Sequence, residues 1–459
     1  MRQVAVIDIG KTNAKLLAVD LASGAETTVA RRANQVMGDG PYPSFDIEGL
    51  WSFLLAALTD LARSQPVDAI SITTHGAAAA LVDGSGKLVL PVLDYEHPGP
   101  EELASDYDAL RPDFAISGTP RLPGGLNLGA QLFWQSRRFP DAFARTRHIL
   151  TYPQYWAHRL TGVAASEATS LGCHTDLWLP YEGSFSPMVD ALGWRPLFPP
   201  VRQAGAVLGP LLPRIAKATG LPPTTPVLCG IHDSNASLVP WLAKPGARAV
   251  MSSGTWIIVM ALGGARIALD PARDVLVNVN AHGEPVPTAR FMAGREFDEI
   301  TRGQGIPASA AAEGAVLGRQ IMALPSLHPG TGPFPGQGFG WAPIEPTDPA
   351  RRIAAASFYV ALMGSACLSL IGAAGQIVVE GPLAGNLAFA RMLSTATGRP
   401  VLRAGQGAGT GLGAAMLAGP VLAPRKEPDR VLPETDGLWT AYARAWQAKV
   451  GTRGAPQAM

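Results

Sequence analysis

A short polar segment near the start of the chain lies between two apolar, β-branched runs, which is typical of a hairpin. Asp8 ends the first run, and a carboxylate there can hold a hydrated Mg²⁺ that shares the charge of a bound phosphate. The residues that follow can donate hydrogen bonds to the same phosphate: Gly10, Lys11, Thr12, Asn13 and Lys15. The alternative is an ordinary surface hairpin in which Asp8 and Gly10 only shape the turn.

A second carboxylate, Asp233, follows a short apolar run and Gly230, just before a run of small residues that predicts a helix. A carboxylate at such a strand-to-helix junction faces the cleft at the end of a sheet. It can accept a proton from a substrate hydroxyl, which is the task of the base in phosphoryl transfer. The alternative is that Asp233 caps the following helix.

Polar side chains also end the strands predicted between these two carboxylates. His75 and Gly76 follow the strand-like residues 70–74, and Asp94, Tyr95 and Glu96 end the next pair of runs. Strand ends in an open α/β sheet meet at one edge, so these groups can line a pocket for a hydroxyl-rich ligand. For His75, the alternative is a buried histidine satisfied by a nearby backbone carbonyl.

Gln154 is a further candidate for that pocket, because Pro153 breaks the chain before it and can aim the side chain into a cleft. The aromatic residues at helical spacing nearby, Trp134 and Trp156, are interpreted as core.

The second half of the chain repeats the opening pattern. Residues 248–261 read as an apolar strand, a small polar turn with Gly254 and Thr255, and another apolar strand. Further on, an apolar strand leads into a glycine turn and a helix, with Gly381, Gly385 and Asn386 in the turn. Glycines there would let a flat group such as adenine lie against the backbone.

These sites need a scaffold in which strands and helices alternate. Hairpins, an amphipathic helix at 46–62 and a strand at 67–74 indicate an α/β domain with a mixed sheet. A strand at 79–82 is expected to pair with residues 88–93. Two similar hairpins about half the chain apart suggest a duplicated domain with a boundary near residue 243.

Composition excludes several classes of function. The net charge of +1, from 37 basic and 36 acidic residues, argues against a nucleic-acid partner. Three widely spaced cysteines suggest neither a disulfide framework nor a zinc site: Cys173, Cys229 and Cys367. With no signal-peptide pattern at the start, a cytoplasmic location is expected.

An uncharged stretch, residues 353–379, is long enough to cross a bilayer. It contains serines, a glutamine and several glycines, which favour a helix packed inside the protein followed by a strand. We therefore expect no membrane partner.

Together these segments resemble the FGGY carbohydrate kinases, which are two-domain members of the actin-like ATPase superfamily, over essentially the full chain. DIGKTNAK at 8–15 is similar to the family's phosphate hairpin, and GIHD at 230–233 is similar to the segment that carries the catalytic base. SSGT at 252–255 resembles the second phosphate segment, and EGPLAGN at 380–386 resembles the adenosine segment. The order and spacing of the motifs make the resemblance specific.

The departures from the family pattern concern the substrate. Gln154 and Tyr155 stand where many relatives have aspartate and tyrosine, and His75-Gly76 replaces the arginine-glutamate pair of glycerol kinases. Glycerol is therefore not expected as the substrate. The adenosine segment has Gly381-Pro382 instead of a glycine pair. In appearance the chain is closest to rhamnulokinase-like and fuculokinase-like branches.

The resemblance implies an α/β fold of two actin-like (ribonuclease H-like) domains with mixed central sheets and an ATP cleft between them. Residues 1–243 would form the N-terminal domain, with the sugar site, the phosphate hairpin and the base. Residues 244–459 would form the C-terminal, nucleotide-binding domain.

The implied activity is ATP-dependent phosphorylation of a sugar hydroxyl, with a ketose such as a deoxyketohexose or a ketopentose as substrate. Asp233 would be the base and, with Asp8, a ligand of Mg²⁺. Phosphate and nucleotide would be bound by the two hairpin turns and by Gly381, Gly385 and Asn386. The sugar would contact His75, Gly76, Asp94, Tyr95, Glu96, Gln154 and Asp233.

Two rival functions keep the same fold. A sugar or nucleotide sensor would bind without turnover, although the presence of both Asp8 and Asp233 argues against it. A non-sugar actin-like ATPase, such as a chaperone or filament protein, would need an added peptide-binding domain or a polymer interface. A homodimer is an assembly that the sequence leaves open.

Overall fold

The computed structural model describes residues 1–304, 308–405, 409–423 and 427–453 of the chain. The chain forms two compact units. The first consists of Met1–Lys244, Val277–Pro285 and Ala408–Arg425. The second consists of Pro245–Leu276, Val286–Gly407 and Lys426–Met459. Two short segments from the second half of the chain thus belong to the first unit, which a single boundary at residue 243 does not describe.

The elements of the first unit are numbered in chain order. Its strands are β1 Gln3–Ile9, β2 Asn13–Asp20, β3 Ala25–Ala33, β4 Val36–Met37, β5 Ser44–Phe45, β6 Ala69–Thr74, β7 Ala79–Val82, β8 His148–Thr151, β9 Ser166–Glu167, β10 Trp178–Leu179, β11 Ser184–Phe185, β12 Val201–Arg202, β13 Val207–Pro210, β14 Pro226–Leu228 and β15 Ile231–His232. Its helices are α1 Ile47–Ser64, α2 Ala104–Asp108, α3 Phe114–Ser117, α4 Leu128–Arg138, α5 Pro140–Phe143, α6 Tyr152–Thr161, α7 Ala168–Leu171, α8 Pro187–Ala191, α9 Pro213–Thr219, α10 Asp233–Ala236, α11 Val239–Leu242 and α16 Thr410–Met416. Short 3₁₀ helices cover Gly99–Leu103 and Arg195–Leu197.

The main sheet of the first unit has seven strands in the order β13-β14-β6-β1-β2-β3, and β15 also pairs with β6. β1 is antiparallel to β2 and parallel to β6, so the predicted hairpin and mixed sheet are confirmed. Because β1 is covered on both faces, its middle residues form one continuous apolar run and not an alternating one.

Helices pack on both sides of this sheet. Asp46 caps α1, and apolar residues at spacings of three and four bury one face of the helix: Leu50, Leu54, Ala57, Leu58 and Leu61. Near the other end of the chain, α16 packs against β1 and β6, and Ser71 Oγ donates to Ala414 O at 2.7 Å. Small residues in α16 permit this close approach.

One pairing differs from the sequence-based expectation. β7 pairs with β8 in antiparallel register, whereas residues 88–93 form no strand and meet β7 through an isolated bridge between Leu88 and Val82 and the hydrogen bond from Val89 N–H to Leu81 O. The apolar pattern identified the strand, but it did not identify a partner that lies more than sixty residues away.

The elements of the second unit continue the numbering, although the end of β18 and the first residue of β19 fall in the segment Val277–Pro285 of the first unit. Its strands are β16 Arg248–Ser253, β17 Ile257–Leu262, β18 Val275–Val279, β19 Pro285–Phe291, β20 Met322–Leu324, β21 Gly340–Ala342, β22 Gln376–Glu380, β23 Val401–Gly405 and β24 Asp429–Val431. Its helices are α12 Ala293–Thr301, α13 Ala310–Arg319, α14 Pro349–Leu370, α15 Leu387–Thr397 and α17 Gly437–Arg453, with 3₁₀ turns at Pro271–Arg273 and Pro382–Gly385.

The second sheet also has seven strands, in the order β18-β19-β17-β16-β22-β23-β24. At its centre β16 is antiparallel to β17 and parallel to β22, which is the arrangement of β1 with β2 and β6. The duplicated architecture that the two hairpins predicted is therefore present.

The long uncharged stretch forms α14, followed by β22. α14 is long and apolar enough to cross a membrane by length and composition, but 83% of its most apolar window is buried inside the protein. The prediction of a core helix followed by a strand is confirmed.

Candidate active site

The tip of the β1-β2 hairpin holds the predicted phosphate-binding segment. Gly10 N–H donates to Asn13 O at 2.9 Å, and Asn34 Nδ2 donates to Gly10 O at 2.9 Å. Thr12 is exposed, and its hydroxyl accepts from Asn13 Nδ2 at 3.0 Å. Asn34, on the neighbouring segment, therefore stiffens a turn that presents a hydroxyl to solvent.

Asp8 occupies the penultimate position of β1, opposite Lys15 on β2. The Lys15 ammonium lies 3.7 Å from Asp8 Oδ2, and only 14% of the Asp8 side chain is exposed. Burial raises the pKa of Asp8 to about 6; Lys15 opposes this shift, while the Asp233 carboxylate raises it further. The two predicted carboxylates are therefore within electrostatic range of each other.

A third carboxylate, Glu26 on β3, was not singled out from the sequence. Burial is the larger cause that raises the pKa of Glu26, and the charge of Asp8 raises it further. Lys15 partly offsets this shift. Glu26 lies four register positions along β2 from Lys15, a relation that only the β2-β3 pairing reveals. Asp8 therefore interacts electrostatically with both Asp233 and Glu26, and Lys15 opposes the pKa shifts of Asp8 and Glu26.

Asp233 is the first residue of α10, directly after β15. Gly230 sits before β15 with φ of +91°, and a Cβ there would lie 2.9 Å from Ile72 O, so the approach to Asp233 requires glycine. Asp233 Oδ1 accepts from Ser234 N–H at 2.6 Å, while Oδ2 has no hydrogen-bond partner among the described residues. Burial raises its pKa, and His75 opposes that shift.

His232 backs the Asp233 carboxylate. Its Nε2 lies 3.2 Å from Asp233 Oδ1 and 3.4 Å from Cys173 Sγ. Burial lowers the pKa of His232 to about 4, so the ring is neutral. Asn235 Nδ2 is 3.0 Å from His232 Nδ1, and with the amide as donor the ring proton resides on Nε2, facing Asp233 and Cys173.

A buried glutamate anchors the same segment from the other side. His232 N–H donates to Thr169 Oγ1 at 3.0 Å, and that hydroxyl donates to Glu167 Oε2 at 2.6 Å. Glu167 also accepts from the backbone N–H groups of Thr169 and Ser170. Glu167 therefore fixes α7, and through Thr169 it fixes the backbone that carries Asp233.

His75 follows β6. One of its ring nitrogens fits the alternative of a buried histidine satisfied by a backbone carbonyl, and the other is left for a ligand. Its Nδ1 donates to Gly76 O at 2.7 Å, which satisfies one ring nitrogen. Its Nε2 is buried and has no partner among the described residues. Burial lowers the pKa of His75 to about 4, so Nε2 is an acceptor; Asp233 and Lys11 also influence this pKa.

Lys11 does not extend toward Asp8. Its ammonium pairs with Asp94 Oδ1 and lies 3.3 Å from Glu96 Oε2. The same ammonium is 4.7 Å from the Tyr95 ring centroid and 5.2 Å from that of Phe45. Lys11, expected among the phosphate ligands, therefore lies with the residues expected to bind sugar.

The aromatic rings link this group to His75. The His75 ring centroid is 5.0 Å from that of Phe45 and 5.6 Å from that of Tyr95. Charges on Glu96, Asp233 and Asp94 add to the burial that raises the pKa of Tyr95 to about 12. His75, Tyr95 and Asp233 therefore share one electrostatic environment, as the strand-end argument predicted.

Gln154 does not join them. Its side chain is fully buried; Nε2 donates to the carbonyls of Cys229 and Gly230 at 3.1 Å each, and Oε1 accepts from Thr151 Oγ1. All its polar groups are engaged in the core, where it supports the segment leading to Asp233. Gly76 is close to this region, since a Cβ there would lie 3.0 Å from His232 Nε2.

In the second unit, the turn after β16 is held by backbone contacts. Gly254 N–H donates to Trp256 O at 2.9 Å, and Gly294 N–H donates to Thr255 O at 3.1 Å. Ser253 Oγ donates to Glu380 O at 2.5 Å and accepts from Leu383 N–H at 3.1 Å. The hairpin turn, the start of α12 and the segment after β22 are thereby fixed together.

These segments surround a cavity of ≈ 1000 Å³ in the second unit. Four predicted nucleotide-site residues line it: Gly254, Thr255, Gly385 and Asn386. Gly381 is not among the lining residues; its φ of +80° instead lets the backbone pass Ser253 O, which a Cβ would approach to 2.1 Å. Asn386 also caps α15 through Phe389 N–H.

The same cavity has lining residues that the sequence reasoning missed. They lie on α12 and α13 and include Gly294, Asp298, Glu299 and Glu313. The sequence does contain a signal for these residues. Gly294 follows an apolar strand and opens an amphipathic helix, which is the strand, glycine and helix pattern that identified the segment at Gly381.

The donor set of the first unit fits Mg²⁺. Among the described residues, no group of three or more His, Cys, Asp or Glu side chains could hold a metal ion. Mg²⁺ needs only one or two carboxylates when waters and phosphate oxygens supply the rest. Asp8 and Asp233 meet that requirement, and the Asp233 charge already raises the pKa of Asp8, as expected of carboxylates close enough to share a cation.

Comparison with known proteins defines the class. Residues 3–240 match the family model for the N-terminal domain of the FGGY family of carbohydrate kinases. Residues 245–427 match the model for carbohydrate kinase FGGY, C-terminal domain. The chain therefore belongs to the FGGY family of carbohydrate kinases, and the resemblance inferred from its motifs is confirmed.

The chain is also similar to individual proteins. A carbohydrate kinase from Novosphingobium aromaticivorans is 38% identical, with a TM-score of 0.90 over 98% of this chain and 99% of that one. The L-fuculokinase of Salmonella typhi is 29% identical over 57% of each chain. The rhamnulokinase of Enterococcus faecalis is 25% identical over 56% of this chain and 53% of its own. The chain thus matches about half the length of these two kinases.

Proposed function

We propose that this chain is an ATP-dependent kinase that phosphorylates a hydroxyl group of a small ketose, such as a deoxyketohexose or a ketopentose. Its membership of the FGGY family supports the reaction class. The similarity to proteins named L-fuculokinase and rhamnulokinase supports the substrate class.

The observation that carries this proposal is the state of the Asp233 carboxylate. Ser234 N–H holds Oδ1 at 2.6 Å, and Oδ2 is left without a partner in the described part of the chain. Burial raises the pKa of Asp233, which strengthens it as a base, while His75 and the hydrogen bonds from Ser234 oppose that shift. A carboxylate fixed at one oxygen and open at the other is suited to accept a proton.

In the proposed reaction the sugar hydroxyl gives its proton to Asp233 Oδ2, and its oxygen forms a bond to the γ-phosphorus of ATP. The bond between that phosphorus and the β-γ bridging oxygen breaks, and ADP leaves with the electron pair. Mg²⁺, held by Asp8 and Asp233, would share the negative charge of the phosphates. Lys15 would keep Asp8 ionised.

The sugar is proposed to lie against His75, Asp94, Tyr95 and Glu96, with Gly76 allowing close approach. Support comes from the unpartnered His75 Nε2, which can accept a hydroxyl proton in a hydrogen bond. Lys11 is moved from the phosphate set to this sugar set because of its contacts with Asp94 and Glu96. Gln154 is removed from the set because its polar groups are used in the core.

ATP is proposed to use the hairpin turn at Gly10, Thr12 and Asn13 and the cavity of the second unit. That cavity, at ≈ 1000 Å³, is large enough for a nucleotide base and sugar. Support for this assignment comes from the two hairpin turns and from the lining by Gly254, Thr255, Gly385 and Asn386.

The test is an ADP-release assay on the purified full chain, with ATP, Mg²⁺ and a panel containing L-fuculose, L-rhamnulose and xylulose. We expect release that depends on one ketose, and a roughly 10²–10⁴-fold lower kcat in Asp233→Asn with ATP binding retained. Asp141→Asn, at an exposed site on α5, is the matched control and should behave as wild type. Sugar-independent hydrolysis would identify another ATPase, and binding without turnover would identify a sensor.

A further inference from the structure

A polar cavity of ≈ 710 Å³ lies in the first unit and shares no lining residue with the cluster around Asp8 and Asp233. Its walls come from the turn after β7, the start of β8, the second half of α6 and the start of α9. Four basic and two acidic side chains line it, with two histidines between them. The proposed kinase reaction uses none of these groups.

Both acidic side chains are already committed. Glu48 accepts two bonds from the Arg159 guanidinium, at 2.7 and 3.2 Å, and that guanidinium also lies 4.3 Å from the Trp51 ring centroid. Asp83 Oδ1 accepts from the hydroxyl and N–H of Ser85 and from Lys87 N–H within its own turn. The acids therefore neutralise Arg159 and shape the turn that carries Lys87, and Arg147 and Arg214 have no carboxylate partner among the described residues.

The remaining arginines of the cavity wall are exposed. Arg147 and Arg214 make no side-chain hydrogen bond or ion pair with any described residue. Arg147 lowers the pKa of His148, and both His148 and Arg214 lower the pKa of His158, in each case after burial as the larger cause. These mutual effects mean that the two arginines and two histidines are electrostatic neighbours.

The histidines add buried polar atoms without partners. Nδ1 of His148 and Nδ1 of His158 are buried and make no hydrogen bond with the described residues. The His158 ring is held in place by the turn at Gly86, where a Cβ would lie only 2.9 Å from Cε1. A buried nitrogen without a hydrogen-bond partner is costly. Arg147 and Arg214 are exposed and remain hydrated, so they are available to an anion that enters the cavity.

From these observations we propose that this cavity binds a small metabolite carrying two or more phosphate groups. Guanidinium groups match phosphate oxygens as planar, two-pronged donors, and Lys87 at the rim adds a third charge. The volume falls in the range of small-ligand sites. A nucleic acid is a poor fit, because the chain as a whole has a net charge of only +1.

The first experiment measures pyrophosphate binding by calorimetry on the full chain at low ionic strength. We expect Arg147→Gln/Arg214→Gln to weaken binding at this site by at least about tenfold, since two charge-assisted contacts are lost. Arg63→Gln/Arg145→Gln removes the same charge from exposed positions of the same unit and should change the affinity by less than about twofold. Equal losses in both pairs, or no binding by wild type, would overturn the proposal.

The second experiment locates the site. In protein labelled with ¹⁵N at its eight histidines, pyrophosphate should shift the ring signals of His148 and His158, assigned by single glutamine variants. Orthophosphate should need at least about tenfold higher concentration for the same shift, because it lacks the second phosphate. Shifts at neither histidine would place any bound pyrophosphate elsewhere and would contradict the proposal, and equal potency of orthophosphate would contradict the need for two phosphates.

Discussion

The two sheets use the same central hairpin but place different chemistry at its tip. In the first sheet, Asp8 on β1 faces Lys15 on β2 and Thr73 on β6. In the second sheet the same register position is Ser252 on β16, which faces Ile258 and Glu380. Backbone pairing is thus preserved while a carboxylate and lysine are exchanged for a hydroxyl and an apolar side chain.

This difference indicates that the two hairpin tips present different kinds of groups. The tip in the first unit gathers groups whose charge matters, and burial raises the pKa values of Asp8 and Asp233. The tip in the second unit is held by Ser253, whose hydroxyl bonds Glu380 O and Leu383 N–H, and it opens onto a cavity. A duplicated scaffold can therefore place charged groups at the hairpin tip of one copy and a cavity at the hairpin tip of the other.

The largest expected difference between the two sheets comes from substituting their equivalent positions one at a time. Asp8→Asn should lower kcat/KM for Mg·ATP by about 10²–10³-fold with every sugar, because the carboxylate proposed to stabilise the cation and phosphate charge is lost. Ser252→Ala, at the matching position of the second sheet, should change it by less than about tenfold. Steady-state kinetics of both variants is the measurement. Equal losses would mean that the two tips are not functionally different.

The pH dependence of the free energy of unfolding gives a second test of the comparison, because the first unit contains a buried carboxylate with a raised pKa. Glu167 in the first unit is 2% exposed, and burial raises its pKa to about 7. A raised carboxyl pKa means that the folded state binds the proton more tightly than the unfolded chain. The stabilisation is present at low pH and is lost as pH rises from about 4.5 to about 7, by up to about 3 kcal/mol.

The free energy of unfolding should therefore fall across that pH window in wild type, and Glu167→Gln should remove part of the slope. Glu182→Gln, at an exposed position of the same unit, should keep the wild-type slope. Urea unfolding at a series of pH values measures both. An unchanged slope in Glu167→Gln would contradict a raised pKa for this carboxyl.

In the second unit the corresponding test concerns backbone shape. Gly381 has φ of +80°, and a Cβ there would lie 2.1 Å from Ser253 O, so Gly381→Ala should lower the free energy of unfolding by about 2 kcal/mol or more. Gly385→Ala meets nothing within 4 Å and should cost less than about 0.5 kcal/mol. Thermal unfolding of the pair decides the point, and equal midpoints would count against the close contact at Ser253.

Sequence patterns predicted the features that depend on neighbouring residues. The hairpins, α1, the helix and strand of the apolar stretch, and the glycine turns follow from alternation, helical spacing and turn chemistry. The convergence of His75, Tyr95 and Asp233 followed from a general rule about strand ends. These inferences need only local sequence and one topological rule.

Other features depend on partners that sequence does not name. Lys11 stands in a phosphate motif, yet its long side chain turns to Asp94 because that carboxylate and two aromatic rings lie within reach. Gln154 follows a proline, but the free carbonyls of Cys229 and Gly230 take its amide into the core. Both differences from the expected contacts come from side-chain direction, which is set by contacts between residues distant in the chain.

The smallest expected effect concerns His75 and Gln154, which the sequence analysis placed in the same sugar pocket. His75→Ala should lower kcat/KM for the true sugar by at least about tenfold and leave the KM for ATP within about twofold, because the unpartnered Nε2 is the proposed acceptor for a sugar hydroxyl. Gln154→Ala should instead lower the free energy of unfolding by about 1–3 kcal/mol, since it leaves two buried carbonyls unpaired. Kinetics with sugar and ATP varied in turn, together with thermal unfolding of both variants, gives the comparison. If His75→Ala loses stability as Gln154→Ala does and keeps its sugar kinetics, His75 is a core residue and the sugar pocket must be sought around Lys11 and Asp94.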